Sequence, residues 1–236
     1  MTAGAGAAAR RFAYTAGVRR AVLLFGLLGL AGPARADVAG ELAALPDALP
    51  GCGERAHCVG VRLHITERDA GLIAAPDWLA RQLAAANQHF AALDLGFTVV
   101  GIDTLPAGVA HVATRRDRDQ LAAGRLDGPV LHVFVIGQLD DVDRPGEVIR
   151  GVTWHLRPDG RKYVVLSTIA PDRVLAHELG HVFGLPHSRY AVSIMNKTER
   201  AEPPIAQRTF ADEEVAAMRP VLARLLRAKV IAEVAK

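Results

Sequence analysis

The stretch V-L-A-H-E-L-G-H-V-F-G-L-P-H-S-R-Y-A-V-S-I-M-N, residues 174–196, decides how the rest of the chain is read. It holds His177, Glu178, His181, Gly184 and His187 in the spacing H-E-x-x-H-x-x-G-x-x-H. With residues 171–183 helical, His177 and His181 fall one turn apart on one face, where both imidazoles reach a single metal ion. Glu178 points aside from that face, so its carboxylate suits a general base that acts on water at the metal and not a ligand. Gly184 accepts the left-handed conformation that ends a helix, and the turn delivers His187 as third ligand. Three protein ligands leave one zinc position open, as in catalytic sites and unlike structural ones. With positions treated as independent, these five residues recur at this spacing in ~5 of 100,000 chains of this composition, so coincidence is a poor explanation. H-E-x-x-H alone would be weaker, since an amphipathic helix with two polar-face histidines produces it without any metal.

The run A-H-E-L-G-H-V-F-G-L-P-H-S resembles the metzincin clan of zinc peptidases, and the matrixin family most closely, because Ser188 directly follows the third histidine. The resemblance extends to S-I-M-N, where Met195 stands eight positions beyond His187, as a Met-turn methionine would. It implies a zinc endopeptidase acting on protein or peptide substrates, with one catalytic Zn2+ on His177, His181 and His187, Glu178 as general base and Met195 as an apolar floor. The implied fold is α/β (α+β): a metzincin-like catalytic domain with a twisted mixed sheet, an active-site helix, a Met-turn and a C-terminal helix. Asn196-Lys197 departs from the usual matrixin continuation, and no tyrosine follows the methionine closely, so the resemblance does not define the wall of the specificity pocket. Tyr190 is open between a role at the oxyanion and local packing in its loop. The alternative function is a secreted zinc-binding interaction module that keeps the metzincin fold without turnover.

Residues 1–36 contain five arginines and no acid, with the apolar run A-V-L-L-F-G-L-L-G-L at 21–30 and the small residues Ala34 and Ala36 near its end. This pattern predicts a secretory leader cut after Ala36, with an uncleaved anchor as the alternative. The protein is then secreted or periplasmic. Removing five arginines from 28 basic residues leaves 23 against 25 acidic, a formal charge of −2, so the alkaline isoelectric point near 9.1 belongs to the leader. No basic patch interleaved with aromatics points to nucleic acid, and no second long apolar segment points to stable membrane insertion. The remaining length suits one domain, expected as a monomer, with residues 37–57 as an N-terminal segment and 58–236 as the peptidase domain.

Cys52 and Cys58 are the only cysteines, and in an exported chain an even pair is most simply a disulfide. The surrounding P-G-C-G-E resembles the matrixin cysteine switch, a second reading opposed by the short segment before it and by the presence of Cys58. Period-two alternation predicts a first strand over 59–66, and a stripe of Leu79, Leu83, Ala86, Phe90 and Leu93 predicts a helix from Pro76. Further strands are expected at 97–102 and 130–136, on either side of a charged, mobile-looking stretch at 115–119. Strand-helix-strand order implies parallel pairing. The acidic loop 137–143 reads first as a solvated surface loop, with calcium as the second reading because the alternation of oxygen ligands is incomplete. Residues 148–156 and 162–167 read as a hairpin about the turn 157–160, and by resemblance the first of these is the sheet edge beside the cleft. Thr209 and Asp212 match a capping box opening a C-terminal helix, bent or broken near Pro220. His57, His64, His89, His111, His132 and His155 lack ligand spacing and read as surface or strand residues.

Overall fold

Val59, Val61, Leu63 and Ile65 alternate along β1 (His57–Arg68) and are all buried, because one face of an extended chain can be apolar only at every second residue. β1 is the organising strand of the computed structural model, which describes residues 38–68, 71–157 and 160–235. The leader expected at 1–36 lies outside the described residues. On one side β1 pairs in parallel with β3 (Leu95–Leu105), and on the other with β5 (Leu131–Ile136), which pairs in parallel with β8 (Lys162–Ser167). β7 (Gly151–His155) then runs antiparallel to β8 as the last strand on that side, as the hairpin reading required. A two-residue strand, β2 (Gly71–Leu72), folds back on the end of β1, while β4 (His111–Val112) and β6 (Gln138–Leu139) form a small separate pair.

Each face of the sheet carries its own apolar cluster. Val133, Val135, Val164 and Leu166 face α2 (Pro76–His89), α4 (Val174–Val182) and α5 (Asp212–Arg227). Phe134, Ile136, Tyr163 and Val165, the alternate residues of the same strands, face Leu121 and Ala122 of α3 (Arg115–Ala122). Pro76 opens α2, where its missing N–H costs no helical bond. The stripe Leu79, Leu83 and Ala86 is buried as expected.

Several local expectations fail. Five α-helices are described where the sequence suggested three main ones, the additions being α1 (Val38–Ala48), within the N-terminal segment, and α3. The charged stretch at 115–119 is helical: Thr114 accepts from the Asp117 N–H while the Asp117 carboxylate accepts from the Thr114 N–H, a capping box that opens α3. The Thr209/Asp212 box does not form. Thr209 donates its N–H to Val192 and accepts from Ile194, and the carboxylate that closes the first turn of α5 is Glu214, which accepts from the Ala211 N–H. α5 also continues through Pro220 unbroken. His64 and His132 are strand residues, but buried ones, sharing a 3.0 Å hydrogen bond between β1 and β5. The segment after α5 returns to the start of β1, where Val234 donates to Cys58 O and Ala232 to Pro129 O.

Candidate metal centre

α4 is a helix of nine residues, and its position is fixed from both ends. At its start the buried Gln82 of α2 accepts the Leu175 N–H and donates to the carbonyls of Ala170 and Pro171, while the Trp78 indole also donates to Ala170 O. At its end Gly184, at φ +95°, lets the chain reverse: Gly184 N–H bonds to His181 O and Leu185 N–H to Gly180 O, the paired bonds of a Schellman turn. The Lys162 ammonium donates to His181 O from β8, placing a cation at the negative end of the helix.

His177 and His181 lie on one face of α4, and the turn at Gly184 carries His187 to them. Their ring centroids are separated by 4.9, 5.6 and 4.8 Å, and one ligand atom from each lies within 4.8 Å of the others. His177 Nδ1 faces Ile194 O at 2.8 Å and His181 Nδ1 faces Leu185 O at 2.7 Å. A carbonyl only accepts, so both Nδ1 atoms carry the proton and both Nε2 atoms keep a lone pair for a metal. Burial first of all holds His177 and His187 down to about 4; for His177 the other two imidazoles and Lys197 add to this, for His187 Lys197 and His181. His181 is lowered as well, again mainly by burial. Neutral imidazole is the form that binds metal, so the donor set fits a zinc ion near neutral pH with little competition from protons. Among the described residues this triad is the one group of three or more such side chains so arranged.

Glu178 is 5 % exposed. Its carboxyl is raised to about 7, first because burial penalises the charged form, against the opposing pull of Thr153 and Lys197. The Thr153 hydroxyl of β7 reaches Glu178 O at 2.6 Å and Glu178 Oε2 at 2.9 Å, fixing the carboxyl beside the sheet edge. Close approach of strand and helix depends on Gly151, since a Cβ there would stand 2.8 Å from Val174 and 3.1 Å from Glu178. Met195 is fully buried beneath the helix, and a Cβ on Gly180 would meet its Sδ at 2.6 Å. The Met195 loop is anchored by Ser193, which receives the Met195 N–H and donates to the buried carboxylate of Glu214 in α5. Thr153, Gln82 and Glu214 escape sequence reading because each acts across the fold and not at a fixed spacing from the motif. Glu214 had a faint local signal, as the third residue of an acidic first turn.

The triad, Glu178 and Thr153 share one open cleft of about 1110 Å³, lined by β7, α4 and the loop after Met195. Tyr190 is not among the lining residues; its ring lies near the Arg189 guanidinium, which favours local packing. In the acidic loop, Asp140 meets His111 and Gln138, Asp141 accepts from the Asp143 N–H, and Asp143 pairs with Arg115. Cys52 and Cys58 are joined in a disulfide.

Residues 144–218, from the approach to β7 through the first turns of α5, match the family described as matrixin, of the peptidase M10 type. This part of the chain is matrixin-like. The match takes in the edge strand, the triad, Glu178 and Met195, and it supports the metzincin-type zinc-peptidase fold expected from the motif. No curated protein sequence matches the chain. Among solved structures, metalloproteinase-II from Bacteroides fragilis shares 14 % identity at a TM-score of 0.47, over 71 % of this chain and 53 % of that one. The chain thus spans about half the length of that protein. An archaemetzincin from Methanopyrus kandleri shares 16 % identity at a TM-score of 0.48, over 73 % of this chain and 99 % of its own. A zinc-dependent peptidase from Methanocorpusculum labreanum shares 13 % at a TM-score of 0.38, over 67 % and 100 %.

Proposed function

We propose that the chain is an exported zinc endopeptidase in which His177, His181 and His187 hold one Zn2+ and Glu178 is the general base. The observation that carries this reading is the convergence of three neutral imidazoles beside a buried carboxyl whose proton affinity sits near neutrality. When bound, zinc supplies the Lewis acidity that makes a water nucleophilic near pH 7 and polarises a peptide carbonyl. Glu178 takes the proton of the attacking water and returns it to the leaving amine, and Thr153 holds the carboxyl in place for both transfers. β7 orients the substrate: among the described residues it pairs with β8 alone, so its other edge can receive an extended peptide as a further strand along the cleft. Backbone pairing of this kind binds peptides with little regard to side chains.

Export is supported by the Cys52–Cys58 disulfide, which persists in oxidising compartments, and by the leader pattern at 1–36. Among the described residues no helix is long and apolar enough to cross a membrane.

Two variants test the assignment against the reading as a binding module. His177→Ala loses both zinc, measured by elemental analysis, and peptidase activity. Glu178→Ala keeps zinc and loses 10²- to 10⁴-fold in turnover, the usual cost of removing a general base. A tenfold-or-smaller loss in Glu178→Ala overturns its role, and a zinc-loaded wild type that cleaves no peptide establishes the binding module instead.

A further inference from the structure

The cleft contains a group of cations that the peptidase mechanism does not use. Arg150 immediately precedes β7, Arg173 immediately precedes α4, and Arg208 lies in the chain that leads into α5; all three line the cleft that holds the triad. They are close enough to disturb one another, because Arg173 is made less basic first by burial and then by the charges of Arg150 and Arg208. Arg208 is 6 % exposed, and its guanidinium is held by the carbonyls of Pro203 and Arg200, neutral acceptors that leave its charge uncompensated. Among the described residues none of the three has a carboxylate within salt-bridge distance.

Among the described residues, none of the carboxylates that line the cleft forms an ion pair with these arginines. Glu178 is engaged by Thr153, Asp141 and Asp143 act on Arg118 at another part of the wall, and Glu199 is exposed on the loop after Met195. Three guanidinium groups brought together without a counter-ion repel one another, and an arriving anion relieves that repulsion. Guanidinium forks match carboxylates in shape as well as charge.

The location gives this charge a use. His177 N–H bonds to Arg173 O, so Arg173 stands one helical turn before the first proposed ligand, about 6 Å along the axis. All three arginines line the same cleft as the triad, so a carboxylate bound there belongs to a peptide that lies in the cleft.

We propose that Arg150, Arg173 and Arg208 form a carboxylate subsite of the cleft, which receives either an acidic side chain or the free C-terminal carboxylate of the substrate. The inference rests on the peptidase reading, since it assigns the substrate class of that same site.

Zinc-loaded protein is offered peptides of one sequence carrying Glu or Gln at successive positions, each as free acid and as C-terminal amide. kcat/KM is measured where cleavage occurs. Binding of the same peptides, fluorescein-labelled, to zinc-loaded Glu178→Ala is followed by anisotropy, so the subsite is read even when nothing is cut. A preference of at least about tenfold for Glu over Gln at one position assigns the acidic side chain, and the same preference for free acid over amide assigns the terminus. In the double variant R150Q/R173Q, which leaves the buried Arg208 in place, that ratio falls to within about threefold, and R173E shifts the preference toward Lys. Equal kcat/KM and equal binding across all four kinds of peptide overturn the subsite while leaving the peptidase reading intact. An unchanged ratio in the double variant overturns it as well. Carboxylate-dependent binding without cleavage by the wild type keeps the subsite and removes the peptidase.

Discussion

Glu178 is the residue at which folding and chemistry compete most directly. In the metal-free protein its carboxyl rises from 4.5 to about 7, chiefly through burial, so the folded chain holds this proton more tightly than the unfolded chain does. Its contribution to stability is therefore fully present below pH 4.5 and is lost as pH rises through 7. Over the whole span the loss is about 3 kcal/mol. His177 and His187 act in the opposite sense: their folded values near 4 lie below 6.5, so their contribution is present above pH 6.5 and is lost as pH falls toward 4. The two trends overlap between 4.5 and 6.5, and the difference between wild type and Glu178→Gln isolates the carboxyl. In chelator, the thermal midpoint of Glu178→Gln should rise relative to wild type across pH 5 to 8, by the equivalent of about 2–3 kcal/mol. Parallel curves would show that Glu178 is solvated in the metal-free state. At this scale the motif foretold which three imidazoles converge, because residues four apart share a helix face and a glycine turn brings in the third. It was silent about Thr153 and Gly180, whose roles arise from contacts with Glu178 and Met195 across the fold.

Elements were legible where periodicity ran long and illegible where charge or tertiary contact decided the outcome. β1 and α2 announced themselves through alternate and one-face burial. α3 did not, because R-R-D-R-D suggests a solvated segment, whereas the buried Arg118 turns its guanidinium over Trp154 and donates to Asp140 O. The Thr209 box failed for a related reason: pairing with the Met195 loop engaged the Thr209 backbone first. The start of α4 depends on a neighbouring helix, since Gln82 supplies both acceptor and donor there. Gln82→Leu leaves the Leu175 N–H and the Pro171 carbonyl without that partner in a buried place. The expected loss is about 1–3 kcal/mol by denaturant unfolding, with weakened zinc retention because the helix that carries two of the proposed ligands loosens at its base. Unchanged stability would mean that water replaces the amide without cost.

The whole molecule is tied at its opening strand. Cys52 and Cys58 join the N-terminal segment to β1, and Gly96 of β3 packs so closely that a Cβ there would lie 2.8 Å from the Cys52 backbone. Reduction opens a short loop, so the expected loss is about 2 kcal/mol, seen as a lower thermal midpoint in reductant and absent from a double serine variant. The mixed sheet with an antiparallel edge followed from the order of strands and one turn signal, whereas the return of residues 230–235 to β1 carried no sequence signal, being a matter of backbone bonds alone. The tether from Ser193 to Glu214 also has a bearing on timing. In a chain that emerges from its N-terminus, His177, His181 and His187 are all present before Glu214 has appeared. Until α5 forms, the loop beneath the triad lacks its anchor and Met195 has no fixed seat. A chain built in this order gathers its three imidazoles early and firms the loop beneath them late, so the completed site waits on the last helix.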